Sequence, residues 1–134
     1  MTQAAVKDFF TASFPAVVDS IEIDNGPCIP TFDLMQMLCA RYISTHQLFF
    51  VMGTDLLDTV HLWDDGHDLL TNHNFIIMSR KNSDKVSAAM TVDEIKAHPN
   101  FPKRECIILD ANESMVGAIS STEVRRRIGS IGTT

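Results

Sequence analysis

Leu48-Phe49-Phe50-Val51-Met52 is an uninterrupted apolar run that ends in Gly53-Thr54-Asp55. A run this short, with no polar residue to turn toward water, reads as a strand buried in a parallel sheet, and the glycine marks its opening into a loop. Phe75 to Met78 and Cys106 to Leu109 are further apolar runs of strand length. Helical patterns lie between them. Thr31 caps a helix with apolar positions Phe32, Leu34, Met35, Leu38, Cys39 and Tyr42, a spacing that suits an amphipathic helix packed on a sheet. A short helix is expected at 55–62 and another at 67–72. Thr91 starts a third, with Glu94 completing a capping box and Pro99 stopping it. Residues 82–90 are expected to be loop. Residues 2–11 read as a helix. Val17 to Ile23 reads as a strand with Val17, Asp19, Ile21 and Ile23 on one face. Strand–helix alternation predicts an α/β fold, a parallel sheet flanked by helices. With no internal repeat or linker, the expectation is a single domain over 1–134.

Charge limits the partners. Seventeen acidic against 11 basic side chains give a formal net charge of −6, which argues against the phosphate neutralisation that non-specific nucleic-acid binding needs. No apolar run approaches membrane-spanning length, and no basic start followed by an apolar stretch marks a signal peptide. Cys28, Cys39 and Cys106 are too few and too widely spaced for a disulfide framework or zinc-type pairs. Cys39 and Cys106 read as core thiols. A cytoplasmic protein without membrane or nucleic-acid partners is the expectation.

Two stretches carry candidate chemistry. Ile119-Ser120-Ser121-Thr122-Glu123-Val124-Arg125 places hydroxyls where a helix should begin and a guanidinium one turn in. Ser120 and Glu123 fit a capping box. The unpaired N–H groups and positive end of such a helix, with Ser121, Thr122 and Arg125, suit a phosphate; the other reading is an ordinary capped helix with a solvated basic turn at Arg125 to Arg127. In the first apolar run, Gly53 would let a ligand approach the backbone, and Asp55 would accept hydrogen bonds from a ribose or base; alternatively Asp55 caps the helix after it. Trp63 is the sole tryptophan, either an aromatic anchor closing a loop or a stacking surface. Arg80 ends a strand, as a phosphate contact or a solvent-facing charge. His61, Asp64, Asp65, His67, Asp68 and His73 crowd together but match no compact metal motif, and no metal ligand is assigned. GxGxxG and P-loop fingerprints are absent.

Taken in order, these stretches resemble the bacterial-type nicotinate-mononucleotide adenylyltransferases, within the cytidylyltransferase-like nucleotidyltransferases. Thr31-Phe32-Asp33-Leu34 with Leu38 is similar to the family's Thr-containing helix. Gly53-Thr54-Asp55-Leu56-Leu57 is similar to its Gly-x-Asp-Ser/Leu-Leu segment. Phe75 to Arg80 looks like its strand ending in Arg, and Ser120-Ser121-Thr122 with Arg125 looks like its Ile-Ser-Ser-Thr-x-x-Arg phosphate motif. The resemblance spans about 17–128. It implies a Rossmann-like parallel sheet of the nucleotidyltransferase type. It also implies ATP, carried with Mg²⁺, and a pyridine mononucleotide as ligands. Ser120, Ser121, Thr122 and Arg125 would lie at the ATP phosphates. Gly53, Asp55, Trp63, Arg80 and Thr31 would lie around the nucleotides, with Trp63 stacked on the pyridine ring.

The family's His-x-Gly-His, whose histidines bind ATP phosphates and stabilise the transition state, does not occur: no two of His46, His61, His67, His73 and His98 are three apart. The resemblance therefore implies a scaffold lacking the first strand-loop-helix, and no catalytic residue is assigned. The expected function is adenylyl transfer in NAD biosynthesis. The alternative is a non-catalytic nucleotide-binding or interaction module on the same scaffold. A relative using another acceptor, such as a pantetheine phosphate or a phospho-alcohol with CTP, is a third reading, against which Trp63 argues. A missing central strand would leave sheet edges unpaired, so homo-oligomerisation through such an edge is expected.

Overall fold

The computed structural model describes residues 2–9, 16–26, 28–79 and 89–110. In chain order the elements are α1 (Thr2–Phe9), a single helical turn α2 (Ile21–Asp24), α3 (Thr31–Tyr42) and β1 (Phe49–Gly53). Two 3₁₀ turns follow (Thr54–Leu56 and Val60–Leu62), then α4 (Gly66–Asn72), β2 (Asn74–Met78), α5 (Val92–Ala97) and β3 (Cys106–Leu109). The three strands form a parallel sheet in the order β1-β2-β3. The register places Phe50 beside Phe75 beside Cys106, and Met52 beside Ile77 beside Ile108.

Strand periodicity sends those six side chains to one face, where the core sits. Phe75, Ile77 and Met52 meet Leu57 and Val60 of the loop after β1, Leu69 and Leu70 of α4, Ile95 of α5 and Met35 of α3. Phe75, Ile77, Leu57, Val60, Leu69 and Ile95 are fully buried, and burying each side chain is worth about 1.5–3 kcal/mol. The opposite face is less covered than an apolar run suggests. Val51 is 52 % exposed, and Ile107 in its row and Leu109 on the same face are also exposed.

The helix ends are tied to the sheet. Asn74 Nδ2 donates to the Leu48 carbonyl, joining the starts of β1 and β2. The last carbonyls of α4 are taken up by the Lys103 N–H at Leu70 and by Arg104 Nη1 at Asn72, groups that would otherwise be left orphaned at a helix C-terminus. The capping box at Thr91 forms as expected: the Thr91 N–H donates to Glu94 Oε2 at 2.7 Å and the Glu94 N–H to Thr91 Oγ1 at 3.3 Å.

Three expectations change. The segment 17–23 is not a strand: it reaches no sheet partner among the described residues and turns helical at Ile21. Polar side chains capture its backbone, since the Ile21 N–H donates to Asp19 Oδ1 and Asn25 Nδ2 donates to the Ile21 carbonyl. Such local bonds compete with a sheet ladder. Val17 and Ile23, expected on one strand face with Ile21, are 88 % and 85 % exposed, while Ile21 alone of the three is buried. Second, 55–62 is two 3₁₀ turns rather than a helix. Leu57 and Val60 both reach the core, Leu57 as the residue that closes the first turn and Val60 as the one that opens the second. Third, Thr31 does not cap α3. Pro30 is the N-cap, Thr31 the first helical residue, and no side chain closes that end.

Candidate functional site at the α3 N-terminus

The loop after β1 folds back on itself. The Trp63 N–H donates to the Val60 carbonyl, and the Gly66 N–H donates to the Trp63 carbonyl at 2.8 Å. Asp65 takes a left-handed conformation, φ 53°, which reverses the chain so that α4 begins directly against the 3₁₀ turn. Gly66 fits there only because it lacks a side chain: an added Cβ would stand 2.2 Å from the Val60 carbonyl oxygen. This fold-back holds Trp63 half-buried, edge-on to Phe50 with ring centroids 6.3 Å apart.

Opposite Trp63 stands the start of α3. Together they enclose an open cleft of about 370 Å³, lined by Cys28, Ile29, Pro30, Thr31, Leu62, Trp63 and Asp64. That volume lies within the range of small-molecule sites. With Pro30 as N-cap and no side-chain cap, the first N–H groups of α3 are left for solvent or a ligand. Their partial positive charge favours an anionic group, while Asp33 in the first turn supplies a counter-charge. An aromatic side chain and a helix N-terminus lining one cleft suit a flat ring bearing a carboxylate or phosphate.

Of the expected site residues, Thr31 and Trp63 line the cleft together. Gly53 and Asp55 lie at the carboxyl end of β1 and are not among its lining residues. Gly53 has an ordinary extended backbone, φ −82°, that any residue adopts. Asp55 is exposed and sits inside the first 3₁₀ turn, so it caps no helix. Arg80, Ser120, Ser121, Thr122 and Arg125 lie outside the described residues. The wall formed by Cys28, Ile29 and Pro30 is not among the expected site residues, although the Gly-Pro-Cys-Ile-Pro run ahead of a helix is a local signal for a bend there. Cys28, exposed and at φ 61°, makes the bend that brings it in.

The crowded histidines and aspartates serve separate ends. Among the described residues no three His, Cys, Asp or Glu side chains group to hold a metal ion. His61 Nδ1 lies 2.8 Å from Asn100 Nδ2 and accepts its hydrogen. His73 is buried beside Cys39, ring Nδ1 to thiol sulfur 3.9 Å, edge-on to Phe32, and its Nε2 has no hydrogen-bond partner among the described residues. Burial first, and the Arg104 charge second, pushes the His73 pKa below the usual imidazole value. Burial likewise raises that of the Cys106 thiol.

Comparison with known proteins agrees with this architecture. The cytidylyltransferase-like family matches residues 13–127. A probable nicotinate-nucleotide adenylyltransferase of Desulfotalea psychrophila (strain LSv54 / DSM 12343) is 29 % identical over 113 residues, covering 81 % of this chain and 54 % of that protein. Two structures of Plasmodium falciparum nicotinic acid mononucleotide adenylyltransferase, complexed with APC and with NaAD, superpose at TM-score 0.57 and 25 % identity over 75 % of this chain. They are matched over 45 % and 44 % of their own chains, so the chain spans about half the length of the relatives it matches. No described helix is long and apolar enough to cross a membrane. The match over 13–127, on a Rossmann-like α/β sheet of the nucleotidyltransferase type, places this chain in the cytidylyltransferase-like family.

Proposed function

We propose that this chain serves adenylyl transfer from ATP to nicotinate mononucleotide, the step that yields deamido-NAD and pyrophosphate. The observation that carries this reading is the cleft that Trp63 lines together with the N-terminus of α3, which no side chain caps. The pyridine ring stacks on the indole, and its anionic substituent meets the N–H groups beside Thr31. The relatives named as nicotinate-nucleotide and nicotinic acid mononucleotide adenylyltransferases, one of them complexed with NaAD, support the same choice of ligand.

In this reading Gly53 and Asp55 contact the nucleoside, Ser120, Ser121, Thr122 and Arg125 hold the triphosphate, and Arg80 meets a phosphate. The acceptor phosphate attacks the α-phosphorus in line and pyrophosphate leaves. The protein supplies position and charge rather than a covalent intermediate. Asp64 is the only carboxylate on the described cleft, too few for a dedicated cation cage. The fit is therefore to Mg²⁺ arriving on the ATP phosphates, where it offsets their charge. We further propose a single cytoplasmic domain that self-associates through the edge of β1, which has one sheet neighbour among the described residues. Sedimentation as a monomer would remove that last element.

The test uses the sole tryptophan. Trp63 emission is followed while nicotinate mononucleotide, deamido-NAD and ATP are titrated in, with CTP as control. Saturable quenching by the pyridine nucleotides and not by CTP is expected. No saturable change with either pyridine nucleotide overturns the reading.

A further inference from the structure

A residue outside the cleft is hydrogen-bonded to the segment just ahead of Trp63. Asn100 sits in the turn after α5. Its side-chain nitrogen donates to the Leu57 carbonyl at 2.6 Å and to His61 Nδ1 at 2.8 Å. Both hydrogens of one amide are thus spent on the segment 57–61, just ahead of Trp63. The amide is itself fixed. The Asn100 backbone N–H donates to His98 Nδ1 at 3.1 Å, and His98 Nε2 donates to Asp58 Oδ1 at 2.9 Å. The circuit therefore leaves the 57–61 segment at Leu57 and His61 and returns to it at Asp58.

The rest of that segment is secured by apolar burial of Leu57 and Val60, which fixes depth but not rotation about the chain axis. Directional bonds fix the rotation. The same bonds give His61 a job other than metal binding. An Nδ1 that accepts from Asn100 leaves the ring proton on Nε2, so neither nitrogen offers a lone pair to a cation. His67, whose ring centroid is 6.1 Å from that of His61, gains no chelating partner.

We propose that Asn100 is a positioning residue that sets Trp63 against the α3 N-terminus, acting through Leu57 and His61. Its role in ligand affinity rests on the function proposed above; its role in holding Trp63 does not. The experiment compares Asn100→Ala, Asn100→Asp and Asp58→Ala with the wild type. Acrylamide quenching of Trp63 in the unliganded protein is read first, then nicotinate mononucleotide affinity, with thermal midpoints and far-UV circular dichroism alongside. Asn100→Asp keeps the shape and removes the donor, so it separates donation from packing. Asp58 is exposed, so its variant tests the outer link without disturbing the core.

Expected are a quenching constant raised about twofold in both Asn100 variants and less in Asp58→Ala. Affinity should weaken roughly three- to tenfold in the Asn100 variants, the scale of re-ordering one or two side chains on binding. A core variant, Ile95→Val, should lower the midpoint without changing the quenching. Wild-type quenching in Asn100→Asp, or a lowered midpoint with unchanged quenching in both Asn100 variants, overturns the proposal. If the wild type binds no pyridine nucleotide while Asn100→Asp still loosens Trp63, the functional reading fails and the positioning role stands.

Discussion

Replacing Gly66 by alanine tests the fold-back that makes the cleft. The new methyl carbon would lie 2.2 Å from the Val60 carbonyl oxygen, 3.0 Å from the His61 carbonyl carbon and 3.1 Å from His61 Cα. All three atoms are backbone, so no side chain can swing aside, and relief requires the 3₁₀ turn and α4 to part by about 1 Å, given carbon contact distances near 3.5 Å. Overpacking of this kind costs about 1–3 kcal/mol, here toward the upper end. Alanine's better helix propensity returns at most about 1 kcal/mol. The net loss is about 2 kcal/mol, or roughly 4–12 °C in thermal midpoint for a domain of this size. Thermal unfolding followed by far-UV circular dichroism measures it, and Trp63 emission reports the displaced loop. Gly26→Ala is the companion variant. Gly26 has φ +100° and nothing within 4 Å of an added Cβ, so its loss of about 1–2 kcal/mol is conformational alone and should leave Trp63 emission unchanged. A Gly66→Ala protein as stable as the wild type would refute the close approach of α4 to Val60.

Other perturbations address the parts around the cleft. His73 is held neutral by burial, then by Arg104, and the Cys39 thiol is its neighbour. Its folded pKa lies below the unfolded value, so the unfolded chain takes up the proton first. Stability is then unaffected above about pH 6.5 and falls as pH drops from there toward the lowered folded pKa, by up to about 1.4 kcal/mol per pH unit. Urea denaturation across pH 7.5 to 5 should show this slope in the wild type and its absence in His73→Leu; parallel curves would contradict it. Thr91→Ala should cost about 1 kcal/mol through the lost cap, measured by thermal unfolding. The Glu94 carboxyl is held below its usual range first by the Thr91 backbone N–H and then by its hydroxyl. Its contribution is present above the usual carboxylate pKa and is lost as pH falls through the lowered one. An NMR titration of Glu94 should therefore move partway back toward normal in Thr91→Ala.

What could be read from the sequence was whatever is encoded locally. Phe75 to Met78 and Cys106 to Leu109 are strands because nothing in either run offers the backbone an alternative. Thr91 and Glu94 specify a helix start within four residues. The segment 17–23 has the apolar alternation of a strand, but Asp19, Ser20 and Asn25 sit where their side chains reach its own backbone and Asp24. Periodicity does not register that competition. The cleft was half legible. Trp63 and Thr31 stand out as residue types and the Gly-Pro-Cys-Ile-Pro run marks the bend beside Thr31, whereas the Asn100 clasp exists only once distant segments meet. Asn100 and Leu57 are far apart in sequence, and nothing in Pro99-Asn100-Phe101 marks an amide destined for a carbonyl on another loop.

Both strand pairings among the described residues are parallel, and that shapes how the chain must fold. Phe49 cannot find Asn74 until the whole crossover between them has collapsed, because loop closure must precede the pairing that rewards it. That crossover is the segment from Thr54 to His73, the same stretch that presents Trp63 and is gripped by Asn100. Early packing of Leu57, Val60 and Leu69 against the nascent strands would form the folding nucleus, and the binding wall would be inherited from it. If the cleft binds as proposed, substitutions there would slow refolding as well as weaken binding, whereas those at Cys28 to Thr31 would act on binding alone.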